Sequence, residues 1–230
     1  RGTALVLVIF GQGARRGGPL SGSGQTSRPR GDYTCGGFTL WRIHPVAQRL
    51  IQEMPMFEVA EVESPVGPLV LAAREGRLCG LAFADGWDGI AARLSRRLGE
   101  KAWRPAPDPA GAVSAVDSYF SGDLSALDRI PVEMCGTAFQ DRAWSAMQGI
   151  PAGDVASYGE LAFRIGLPRA GRAVGAAAGA NLIAIVVPCH RVVGSGGGLG
   201  GYGGGLERKR WLLDHEQEHV GSGAGAGSRR

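Results

Sequence analysis

A thiol, an imidazole and a guanidinium stand in a row at Cys189, His190 and Arg191, between the apolar runs 183–187 (IAIVV) and 192–193 (VV). Groups that can carry charge are costly to bury without partners, so this cluster needs a reason. A thiol becomes a strong nucleophile once ionised, and that takes a nearby base or positive charge. His190 is the adjacent residue, but neighbours on a strand point to opposite faces. The pair meets only if the backbone turns there, or through a water. An inert core thiol is the commoner fate of a lone cysteine, and the residues alone leave both readings open.

Two further patterns near this cluster carry less than they first offer. HEQEH at 215–219 matches the H-E-x-x-H spacing that puts two zinc ligands on one helical face. A zinc site needs a third protein ligand, and the eleven residues after His219 contain no good one. GLGGYG at 198–203 matches G-x-G-x-x-G, but a dinucleotide site needs a βαβ unit with an acidic residue about 20 positions on. Here the chain enters one helix, from about Leu206, and then turns Gly-rich. A tightly turned glycine loop beside the thiol is the better account of 194–205. The four cysteines, Cys35, Cys79, Cys135 and Cys189, are far apart with no C-x-x-C pair, which argues against a disulfide scaffold and for reduced thiols in the cytoplasm.

The elements that must position the cluster follow from apolar periodicity. Apolar residues over 139–150 share one helical stripe, and Pro151 to Gly153 ends it. SYGE at 157–160 is a capping box opening a helix through Ile165, with Gly166 as the residue just past its end. A second helix over 170–180 completes a helix-turn-helix pattern. Its sequence, AGRAVGAAAGAN over 170–181, is almost bare of side-chain bulk apart from Arg172 and Val174. Such a helix suits either close packing in a core or docking into a groove, and the pattern does not choose. Upstream, FEVAEVE, LVLAAR and RLCGLAF between 57 and 83 read as an antiparallel meander. Helical spacing recurs at 88–98 and 110–120. This first unit shows no chemistry of its own.

The chain has 230 residues, 44% of them hydrophobic and 20% charged, enough for one large domain or two small ones. No apolar run approaches the roughly 18 residues of a membrane-spanning helix. The formal net charge is +4, but the excess lies in the flanks: residues 1–56 carry seven basic and two acidic side chains, while 131–220 carry eight of each. The basic balance is therefore no argument about the folded part. Residues 11–37 and 221–230 have the Gly/Ser/Arg composition of disordered chain. The short apolar run 4–10 lacks a good signal-cleavage context. The first methionines are Met54 and Met56, so residues 1–55 are expected to be a disordered or non-native leader. The expected plan is α+β: an N-terminal domain over 56–130, a mostly helical C-terminal domain over 131–220, and a disordered tail over 221–230.

PCHRVV at 188–193, with Asn181 eight residues before the cysteine, RAVG upstream and GY…GG…WLL-x-HE downstream, resembles the O6-alkylguanine-DNA alkyltransferase family. The resemblance runs from about Phe139 to Glu216, and more weakly back to Phe57 through SPVGP and SYFSGDL. It implies a small antiparallel-sheet, ribonuclease H-like domain followed by a helical domain with a helix-turn-helix and a buried active-site cysteine. It implies an irreversible single transfer of a methyl or small alkyl group from O6 of guanine, and from O4 of thymine, to Cys189, with neither cofactor nor metal. On the same resemblance His190 is the base acting through a water, Glu216 holds His190, and Asn181 braces the active-site turn. The partner implied is double-stranded DNA, met in the minor groove with the damaged base flipped out. Tyr158, Arg172, Ala173, Gly175 and Arg191 would face the DNA, with Arg172 filling the vacated stack. Val192, Tyr202 and Gly203 would line the base pocket. Leu182 stands where many members have proline, removing a stiffener of the turn, and Gly203 stands where some have a hydroxyl residue. A monomer is expected. A lesion-binding module that spares its thiol and a cysteine hydrolase are the competing readings.

Overall fold

The computed structural model describes residues 56–99 and 102–220, and before them only the backbone of two paired dipeptides, Thr34–Cys35 and Phe38–Thr39. The rest of the expected 1–55 leader and the expected 221–230 tail lie outside the described residues. Strands β1 (Phe57–Val62), β2 (Leu69–Arg74) and β3 (Arg77–Phe83) form the antiparallel meander. Glu75 and Gly76 both have positive φ, 50° and 72°, the geometry of the tightest hairpin turn. A short fourth strand, β4 (Trp103–Pro105), runs parallel to β1 and closes the order β3-β2-β1-β4. It escapes the sequence because three residues carry no readable alternation.

Helix α1 (Trp87–Leu98) and helix α2 (Ala112–Phe120) pack on this sheet. Strands β2 and β3 are buried at nearly every position, which explains their continuous apolar runs.

Helix α3 (Ala138–Gln148) opens on a reciprocal capping box between Thr137 and Gln140. Strand β5 (Ala156–Ser157) leads into α4 (Tyr158–Arg164), whose Ser157–Glu160 capping box forms as the sequence predicts. Gly166, at φ 75°, terminates α4, and Leu167 N–H reaches back to Ala162 O. Helix α5 (Gly171–Gly179) completes the helix-turn-helix. Strand β6 (Val192–Val193) pairs in parallel with β5, and α6 (Leu206–Val220) ends the described chain. No helix among the described residues is long and apolar enough to cross a membrane.

The apolar run 183–187, whose composition suits a buried strand, does not form one. Ile183 alone makes a β-bridge, to Leu81, and the rest winds through turns. Ile185 sits at φ 70°, a left-handed conformation that a β-branched residue adopts at a cost of roughly 1–3 kcal/mol. The edge of the N-terminal sheet holds this turn: Leu81 N–H donates to Leu182 O at 2.9 Å, and Ala184 N–H donates to Leu81 O at 2.8 Å. Leu182 is buried, so sheet pairing and packing hold the turn where proline would have stiffened it.

Candidate active site

The strained turn delivers its residues into a single 3-10 turn, Cys189–Arg191, rather than a strand. All three side chains are buried. The turn removes the opposite-faces objection to His190 serving Cys189.

Asn181 braces the turn from within. Its Nδ2 donates to Val187 O at 2.8 Å and stands 3.2 Å from Cys189 Sγ, while its Oδ1 accepts from Ile183 N–H at 2.9 Å. Burial pushes the Cys189 thiol up, and the Asn181 contact and the Lys209 charge partly offset this. The resting group is therefore a neutral thiol that needs a base.

His190 is the base the geometry offers. Burial pulls its basicity down, against the opposing pull of Glu216, so the ring is neutral near neutral pH. Its Nε2 is 2.9 Å from Glu216 Oε1, and its Nδ1 is buried with no hydrogen-bond partner among the described residues. With Glu216 ionised, Nε2 carries the hydrogen and Nδ1 presents a lone pair. Burial alone would raise the Glu216 carboxyl, but the hydrogen bonds from His190 and Arg191 and the Arg191 charge outweigh it and hold it well below the usual carboxylate range. Glu216 also accepts from Tyr119 Oη at 2.9 Å and from Gly153 N–H at 3.1 Å.

Arg191 does not stand where the sequence placed it. Its guanidinium is buried, with Nε donating to Glu216 Oε2 and Nη2 to Glu216 Oε1, both at 2.9 Å, and Nη1 donating to Ile150 O at 2.6 Å. A guanidinium with its fork filled by an internal carboxylate faces no DNA. The positive charge that does reach the surface of the helix-turn-helix comes from Arg164, Arg169 and Arg172, all exposed.

The HEQEH segment is committed elsewhere than to zinc. His215 Nε2 is 3.0 Å from Tyr119 O, Glu216 serves His190, and His219 Nδ1 is 2.8 Å from His215 O. No group of three metal-ligating side chains converges among the described residues.

A cavity of about 310 Å³ opens on Cys189, lined by Tyr158, Gly175, Gly179, Tyr202 and Gly203. The ring of Tyr158 lies against Gly175 on one side and Gly200 on the other, where a Cβ at Gly200 would come within 3.0 Å of the hydroxyl. At Gly204 a Cβ would collide with the ring of Phe83. The glycine loop is thus laid tightly on aromatic rings. Val192 is buried and lies outside the cavity lining; its carbonyl accepts from Lys209 Nζ at 2.6 Å. The small residues of α5 divide between two faces. Val174 and Ala177 pack inward, where Trp144 Nε1 donates to Ala177 O at 2.8 Å, while Arg172, Ala173 and Ala176 face outward.

Lys209 is the site residue that sequence reasoning missed. It is fully buried, with Nζ on Val192 O and on Leu199 O, tying the glycine loop to the wall behind Cys189. The signal was its spacing: Lys209, Leu212 and Glu216 fall on one face of α6.

Two family models match the chain: the ribonuclease-like domain of 6-O-methylguanine DNA methyltransferase over residues 59–134, and the DNA-binding domain of the same family over residues 138–218. The chain belongs to the 6-O-methylguanine-DNA methyltransferase family. The methylated-DNA–protein-cysteine methyltransferase of Mycolicibacterium paratuberculosis is 46% identical over 165 residues, covering 71% of this chain and 94% of that protein. The enzyme of the same name from Salmonella typhimurium is 42% identical over 159 residues, covering 68% and 93%. The crystal structure of Mycobacterium tuberculosis OGT in complex with DNA superposes with a TM-score of 0.59 at 40% identity, covering 71% of this chain and 94% of that one. The O6-methylguanine-DNA methyltransferase of Pyrococcus kodakaraensis gives 0.54 at 28% identity, covering 70% and 99%. In this family's terms the four-stranded sheet with α1 and α2 is the ribonuclease-like domain, and α3 to α6 form the DNA-binding domain.

Proposed function

We propose that this methyltransferase repairs DNA by moving an alkyl group from O6 of guanine to Cys189, once per molecule. The observation that carries the reading is the buried chain Glu216 – His190, with Nδ1 of the imidazole free, beside a thiol on the floor of an open cavity. The thiol proton passes through a water to His190 Nδ1, and Glu216 stabilises the imidazolium that forms. Sγ attacks the alkyl carbon in line, forming the S–C bond as the C–O6 bond breaks. The guanine departs with that electron pair and takes up one proton. The thioether has no route back to a thiol, so the protein is consumed. Neither metal nor cofactor enters any step. The O4 of thymine offers the same alkyl carbon and is a second substrate on this reading.

DNA approaches the outer face of the helix-turn-helix. Arg172, Ala173 and Gly175 on α5 meet the minor groove, where bulkier side chains would clash. Arg172 fills the stack behind the flipped base, at an unstacking cost of a few kcal/mol. Tyr202 and the backbone at Gly203 enclose the base, Tyr158 meets the DNA beside it, and Asn181 keeps the thiol aimed at it. We take 56–130 and 131–220 as the two working domains and the protein as a monomer. Cys135 and Cys189 are unbridged, and we place the protein in the cytoplasm, where thiols stay reduced.

Intact-protein mass spectrometry after mixing with a duplex carrying one O6-methylguanine tests the reading. The expected result is a gain of about 14 Da, mapped to Cys189 and limited to one per chain. Lesion binding without mass gain would reassign the protein as a lesion-binding module.

A further inference from the structure

The catalytic carboxylate is held from outside its own domain. Glu216 Oε1 accepts from three donors: Tyr119 Oη, His190 Nε2 and Arg191 Nη2, each at 2.9 Å. Tyr119 belongs to α2 of the ribonuclease-like domain, 97 residues away in sequence, and is fully buried. Its position is fixed at three other points. Its carbonyl faces His215 Nε2 at 3.0 Å, and its ring stands edge-on to His215 at 5.2 Å and to Phe120 at 5.1 Å. A buried phenol needs a hydrogen-bond partner, and the choice of partner is what distinguishes this one. This one is spent on the oxygen that also receives the imidazole.

We propose that Tyr119 is a positioning residue for alkyl transfer: its O–H···Oε1 bond sets where the Glu216 carboxylate stands and how strongly it draws on the Nε2–H of His190. The inference rests on the reading that His190 takes the thiol proton. Negative charge on Oε1 is shared among its donors. A phenol hydrogen bond draws density away from His190 and keeps the imidazole from becoming too basic to remain neutral at rest. Burial, with the neighbouring Glu216 charge next in weight, pushes the phenol far up, so the hydroxyl stays a donor throughout the working pH range. The ribonuclease-like domain thereby takes part in the chemistry.

The test is single-turnover methylation of Cys189 by an O6-methylguanine duplex, followed against pH for the parent, Tyr119→Phe, Glu216→Gln, and full-length protein carrying 3-fluorotyrosine at position 119. Tyr119→Phe is expected to transfer about tenfold more slowly, with lesion-duplex affinity unchanged, and to move the acid limb of the rate profile up by about half a pH unit. Fluorination strengthens the donor and is expected to move the limb down. It keeps ring and hydroxyl, so it gives a reading even if Tyr119→Phe folds poorly. If both leave rate and limb unchanged while Glu216→Gln is slow, Tyr119 only packs and the proposal falls. If Glu216→Gln transfers at the parent rate, the His190–Glu216 reading beneath it falls instead.

Discussion

Asn181 Nδ2 lies 3.2 Å from Cys189 Sγ and 2.8 Å from Val187 O, so one side-chain amide joins the nucleophile to the turn that presents it. Asn181→Ala removes the donors to both and strands Ile183 N–H, which now reaches Oδ1. Leaving buried partners unsatisfied costs about 1–3 kcal/mol each. The thiol also loses a hydrogen bond that favours its ionised form. Thermal unfolding should fall by several degrees, and methylation of Cys189 should slow at least tenfold in the molecules that remain folded. Wild-type transfer with lowered stability would restrict Asn181 to a structural role.

Arg172 and Arg191 should separate cleanly. Arg172→Ala removes an exposed cation from the helix proposed to face the DNA, so lesion-duplex affinity should weaken and the salt dependence of binding should become shallower by about one unit of slope. Arg191→Met leaves Glu216 as a buried charge short of its strongest partner and should destabilise folding by about 3–5 kcal/mol. The salt slope of the folded fraction should not change. Equilibrium denaturation and salt-titrated binding on the two variants check this; an altered slope for Arg191→Met would return that residue to the DNA interface.

Acid should destabilise the protein through two groups with the same sign. The unfolded-state value of Glu216 is near 4.5 and the folded value lies well below it. Its contribution is therefore present above 4.5 and is lost as pH falls from there toward the folded value. His190 is pulled below 6.5 in the fold, so beneath 6.5 the unfolded chain binds a proton that the native ring refuses. Urea midpoints should drop progressively below 6.5, and Glu216→Gln should flatten the part below 4.5. The acid limb of the transfer rate should likewise lie below 6.5, and a limb above it would contradict a neutral, buried His190.

Lys209 should matter to the thiol and to the loop. Its charge opposes the effect of burial on Cys189, and its Nζ holds the carbonyls of Val192 and Leu199. Lys209→Met keeps the buried stem and removes both influences. Cys189 should then titrate higher against a thiol-reactive probe, amides of the 194–205 loop should exchange faster, and methylation should slow about tenfold. Faster loop exchange with an unchanged thiol titration would leave Lys209 a loop anchor alone.

Local chemistry made a good part of this protein legible in its sequence. The capping box at Ser157, the stop at Gly166, the antiparallel meander and the amphipathic helices rest on neighbours close in sequence, and all of them form. The nearness of Cys189 and His190 is covalent, and the family resemblance added Asn181 and Glu216. What pairs across distance was not legible. Whether Arg191 faces DNA or the core depends on a carboxylate 25 residues later; the run 183–187 winds into a turn pinned to Leu81 of a distant strand; Tyr119 meets Glu216 only in the folded chain. Side-chain type and spacing decide what a segment can do alone. Which buried charge meets which partner is decided by the fold, because a low-dielectric interior makes each such meeting decisive and no local pattern records it.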